Sequence, residues 1–68
     1  MRELKTLTGR TVIVVTAETA LEGVVESATR TCVTLVDARA VDGPTPVPVD
    51  GSVLVPTARI AYVQVVPA

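Results

Sequence analysis

Residues 11–16 read Thr-Val-Ile-Val-Val-Thr, an unbroken run of β-branched side chains. Two heavy atoms on Cβ crowd a helical turn but fit a pleated surface well. The run therefore predicts a strand over Thr11–Thr16. Both of its faces are apolar, with Val12 and Val14 on one and Ile13 and Val15 on the other. A strand of that kind is central in its sheet or covered by a partner.

The pattern recurs along the chain. Leu21–Ala28 reads as a second strand, with Leu21, Gly23 and Val25 opposite Glu22, Val24 and Glu26. The face carrying the carboxylates is expected to meet water. Gly23 marks a bend or the close approach of another backbone, and small barrels need such a bend to close. A third strand runs from Cys32 to about Val41, with Val33 and Leu35 opposite Cys32, Thr34 and Val36. Pro44, Pro46 and Pro48 lack ladder donors, so Asp42–Pro48 reads as a loop. Asp50-Gly51 signals a turn into a fourth strand, Ser52–Val55. Pro56–Arg59 reads as one tight 3₁₀ turn. Ile60–Val66 is the fifth strand, with Ile60, Tyr62 and Gln64 opposite Ala61, Val63 and Val65. Ahead of the strands, Leu4 and Leu7 stand i, i+3, and Gly9 follows as a stop. They predict a short N-terminal helix over Leu4–Thr8 that lays two leucines over one end of a barrel. The expected fold is one all-β domain over residues 1–68: a five-stranded, strongly bent SH3-like barrel with a short N-terminal helix. The short link between the last two strands favours this over an OB-like barrel.

A chain of 68 residues buries only about 60% of the surface its unfolded form exposes. Domains this small rely on a staple: disulfides, a metal or a partner subunit. Cys32 is the only cysteine and there is no histidine, which removes an intrachain disulfide and a zinc site. Oligomerisation is left. The apolar content of 49% and the mean hydropathy of +0.53 point the same way. More apolar side chains are present than so small an interior can hold, and some are expected at subunit contacts.

Composition also excludes functions. A net charge of −1 gives no general footprint for duplex binding. Tyr62 is the only aromatic, so one subunit offers no stacking platform for bases. Met1–Lys5 lacks the apolar core of a signal peptide, and Val12–Val15 and Val53–Pro56 are too short to span a membrane. With a lone cysteine, the expectation is a cytoplasmic protein. Catalysis lacks its parts. Cys32 has no histidine to serve as base and reads as a small buried apolar residue. Glu22 and Glu26 read as a solvated strand face. Asp37, Asp42 and Asp50 lack a metal-ligand spacing. No enzyme activity, metal or cofactor is expected.

Gly9-Arg10-Thr11-Val12-Ile13-Val14, Glu22-Gly23-Val24-Val25 and Leu35-Val36-Asp37-Ala38, followed by Val55-Pro56-Thr57-Ala58-Arg59-Ile60 and Tyr62-Val63, fall in the order of two longer motifs. In this the chain resembles the Sm and Sm-like (LSm) proteins over nearly its whole length. The resemblance implies a homo-oligomeric ring, usually a hexamer or heptamer. In it the fourth strand of one subunit pairs with the fifth of the next. It also implies single-stranded RNA binding, as in ribonucleoproteins, by turn residues facing a central pore. Arg30 and Arg59 occupy those turns, and Thr29 and Thr31 could add hydroxyl contacts. The family's aspartate falls here near Thr29 and its asparagine near Cys32 or Val33. Its Arg-Gly pair falls on Pro56-Thr57. Those family residues hold a bound uridine, so an alternative reading stands beside the first. It is a structural, assembly or protein-interaction module of the same fold that binds no nucleic acid.

Overall fold

The computed structural model describes residues 5–67. They form six strands: β1 (Thr11–Thr16), β2 (Ala20–Ala28), β3 (Cys32–Ala40), β4 (Val47–Pro48), β5 (Val53–Pro56) and β6 (Ile60–Val65). A 3₁₀ turn, Thr57–Arg59, links the last two. All pairings are antiparallel. The order is β4-β3-β2-β1-β6, with β5 also on β3. The first strand coincides with the β-branched run.

Side chains on one face of this sheet make the core. Val12, Val14, Val25, Ala28, Val33, Leu35, Ala38 and Val55 are buried, and Leu7, Leu21, Val53, Ile60 and Val63 pack against them. The core is aliphatic throughout. Each fully buried Val or Leu contributes about 1.5–3 kcal/mol.

The two ends of the sheet, β5 and β6, are not paired with each other in this topology. Yet only residues 57–59 separate them. Four Cα steps span roughly 14 Å at most. The sheet therefore has to curl until its ends nearly meet, and it remains open.

Irregularities in the ladders supply the curl. Glu22 faces Arg39 and Val24 faces Val36, so β3 carries one extra residue there. Asp37 sits in that bulge with φ of 52°, a left-handed conformation that Asp tolerates better than bulkier residues. The bulge shifts the alternation, so burial passes from Val33 and Leu35 to Ala38. A second shift lies between Val25 and Ser27. Bulges bend the strand and increase its twist. Gly23 lies against the first bulge. A Cβ there would stand 3.2 Å from the Val36 carbonyl oxygen and 3.3 Å from the Ala38 Cα. This is the close backbone approach that the glycine foretells.

Six expectations need correction, the first being the second strand, which begins at Ala20 rather than Leu21. The loop expected over Asp42–Pro48 contains a two-residue strand, β4. β5 covers β3 only from Cys32 to Leu35, and β4 covers Arg39 and Ala40 beyond it. Prolines fit there because β4 is an edge with one partner. The fourth expected strand is shifted by one residue, to Val53–Pro56. The third and fifth expected strands end one residue early, at Ala40 and Val65. Ile60 also shares the core side with Val63. A register shift on β6 (Val15 pairs with Tyr62, Thr16 with Ile60) breaks the strict alternation.

The helix expected over Leu4–Thr8 starts outside the described residues. From Lys5 onward the backbone makes two overlapping turns. The Thr8 N–H donates to the Lys5 carbonyl at 3.3 Å and the Arg10 N–H to the Leu7 carbonyl at 2.8 Å. None of the described helical segments is long and apolar enough to cross a membrane.

Candidate functional site

Two turns carry the arginines singled out by the sequence. The first, Thr29–Thr31, joins β2 to β3. Its geometry is fixed from within by Thr29. The Thr29 Oγ1 donates to the Cys32 carbonyl at 3.2 Å. It accepts from the N–H groups of Thr31 at 3.3 Å and Cys32 at 3.1 Å. Threonine hydroxyls commonly hold turns in this way, and Thr16 does the same at the end of β1. Thr29 thus spends its hydroxyl on its own turn, and Arg30 is left exposed at the tip.

The second turn is the 3₁₀ segment Thr57–Arg59, with Arg59 in its last turn. Pro56 precedes it with φ of −61° and ψ of 128°. Its extended backbone delivers β5 into the turn without a hairpin, which sends β6 to the far end of the sheet.

The fold brings these two turns together. The Thr57 Oγ1 donates to the Arg30 carbonyl at 2.8 Å. The Thr57 N–H donates to the Thr31 carbonyl at 3.0 Å. Arg30 and Arg59 are therefore carried on adjoining turns. Both are exposed, and neither has an ion-pair partner among the described residues. Thr31, also exposed, contributes its carbonyl to the contact.

The other candidates lie apart. Cys32 is half-buried at the start of β3, with its Sγ 3.8 Å from the Val33 carbonyl oxygen. Glu26 is exposed, whereas Glu22 accepts a 2.6 Å hydrogen bond from the Arg39 Nε. Asp37 lies in the β3 bulge, and Asp42 and Asp50 are exposed in the connections before and after β4. Among the described residues no group of three His, Cys, Asp or Glu could hold a metal ion. Tyr62 is 60% exposed on β6, opposite Val15.

Two residues escaped the sequence reading. Thr57 looked like an ordinary turn residue, and its partner is 27 positions away. Arg39 pairs with Glu22 across β2 and β3, and opposite charges on consecutive strands were the available signal. Open grooves of about 390 and 500 Å³ flank that pair. Neither groove is lined by a residue of the arginine turns.

The free edges are the other notable surface. β5 has a partner on one side only, and so has β6. Both carry exposed large apolar groups: Leu54 is 65% exposed on β5, and Tyr62 60% and Val65 39% on the two faces of β6. Comparison with protein-family models gives no match, and comparison with curated proteins gives none.

Proposed function

We propose that this chain is a Sm-like subunit whose barrel is completed by its neighbours. In this reading β5 of one copy pairs with β6 of the next, and the chain closes into a homo-oligomeric ring, a hexamer or heptamer. The open SH3-like barrel, with a short N-terminal helix over one end, is the repeating unit. The observation that carries the reading is the topology. A curled sheet ends in β5 and β6, each paired on one side only and each with exposed apolar side chains. Unpaired edges must be covered or paired. Heterologous pairing that closes into a ring covers the β5 and β6 edges of every copy. The family resemblance adds single-stranded RNA as the ligand, and the lone cysteine adds a cytoplasmic setting.

The RNA site in this proposal is the paired turns. Each subunit offers Arg30 and Arg59, with Thr29 and Thr31 beside them. Repeated around a ring, two unpaired guanidiniums per subunit give a local positive rim on a chain of net charge −1. Guanidiniums bind phosphate oxygens in bidentate fashion. The test is fluorescence anisotropy of labelled RNA at low salt. Binding is expected to weaken as salt rises, and to be lost in the double variant Arg30→Ala, Arg59→Ala. No binding of oligouridine, oligoadenine or mixed RNA refutes it.

One observation favours the alternative, a structural or protein-interaction module of the same fold. The Thr29 hydroxyl, near the place of the family's aspartate, is committed to its own turn. A ring that purifies free of RNA and recovers a protein in pull-down would support that reading. Copurifying RNA would count against it.

A further inference from the structure

Resting on that reading, we infer that Thr57 is the positioning residue of the site, and that the site reads the phosphate backbone without distinguishing uracil from adenine. Thr57 makes two hydrogen bonds to consecutive carbonyls of the other turn, those of Arg30 and Thr31. They bracket Thr31, the residue that follows the arginine. One bond alone would leave the Arg30 turn free to pivot, and two fix its direction relative to the 3₁₀ turn. Arg30 and Arg59 then stand as a preformed pair, and less ordering is needed when a ligand arrives.

The chemistry left facing outward decides what the pair can read. The polar side chains Thr29 and Thr57 are spent on backbone groups. The remaining residues of the two turns are Arg30, Thr31, Ala58 and Arg59. None is an aromatic ring that could stack on a base. None is a carboxamide or carboxylate that could tell uracil from adenine, and the base-edge contact open to a guanidinium is to guanine. The chain has no asparagine, and its one glutamine, Gln64, lies in β6. Contacts from guanidinium to phosphate position a strand and carry no sequence information. The family residues that hold a uridine are missing here. These turns suit a single-stranded polyanion and hold no group that prefers uracil to adenine.

The experiment compares wild type, Thr57→Val and Thr57→Ser against oligouridine, oligoadenine and mixed RNA of equal length. Wild type is expected to bind all three alike. Thr57→Val is expected to weaken all three by about fivefold, the ratio for one neutral hydrogen bond, at unchanged particle mass. Thr57→Ser keeps the hydroxyl and is expected to restore binding. Amide exchange at Thr57 should accelerate in Thr57→Val and not in Thr57→Ser. A merely structural loss would instead lower the melting temperature, and binding measured well below it would not change. Unaltered affinity in Thr57→Val, or unaltered exchange, overturns the clamp. A tenfold preference for one homopolymer overturns the indifference between uracil and adenine. If wild type binds none of the three, the RNA reading itself fails, and the ligand assigned here falls with it.

Discussion

Leu54 lies on the outer side of β5 and is 65% exposed, between Val53, which packs on the core, and Val55, which is buried. Replacing it with glutamate leaves the core untouched, so the isolated fold should change by about 0.5 kcal/mol or less. The proposed ring responds very differently. A leucine this exposed offers on the order of 100 Å² of apolar surface, worth roughly 2.5 kcal/mol at 25 cal/mol per Å² if a neighbour covers it. That corresponds to a roughly 70-fold weaker contact at each subunit boundary, before any cost of burying the carboxylate. The assay is native mass by light scattering at matched concentration, with circular dichroism to confirm the fold. Wild type should run as a closed oligomer and Leu54→Glu as smaller species with a near-normal spectrum. Thr45→Glu, in the exposed loop after β3, serves as a control and should keep the wild-type mass. An unchanged mass in Leu54→Glu refutes the use of the β5 edge, and a monomeric wild type refutes the ring.

Two further predictions concern the fold itself. Gly23→Ala puts a Cβ within 3.3 Å of backbone atoms of β3. Overpacking of about 1–3 kcal/mol outweighs the roughly 0.5–1 kcal/mol gained by removing a glycine, so thermal melting should fall by several degrees. A higher melting temperature would show that β3 yields. Glu22→Gln breaks the pair with Arg39, whose side chain is 54% exposed. The loss should stay below about 1 kcal/mol and leave RNA binding as it was, because Glu22 lies near the opposite end of β2 from Arg30. Reduced RNA binding in this variant would mean that the groove beside Glu22, and not the arginine turns, holds the ligand.

What could be read in advance depended on whether a residue's role was local. Thr11–Thr16 declares itself through its own side chains, and its buried and half-buried faces follow from simple alternation. The same alternation misplaced Ile60, because a single extra residue on β6 reverses the face and leaves no compositional trace. The Asp37 bulge is equally silent, although Gly23 opposite it gave the clue that something approaches closely. β4 was hidden by Pro46 and Pro48. They argue against a strand in general, but not against a two-residue edge whose partner has run past β5. The site divides the same way. Arg30 and Arg59 were visible as charges in turns. Their union depends on Thr57 reaching across 27 positions, which only the folded chain reveals.

The bulge at Asp37 carries a consequence for counting. If β5 of one copy meets β6 of the next, the angle between those edges within a single chain is the angle through which each subunit turns the assembly. The number of copies is then a full circle divided by that angle. The curl that sets it comes largely from the bulges in the β2–β3 ladder and from the glycine that lets them approach. Stoichiometry would therefore be written far from any subunit boundary. A side chain added at Gly23 could change how many copies close a ring without touching a single contact between them.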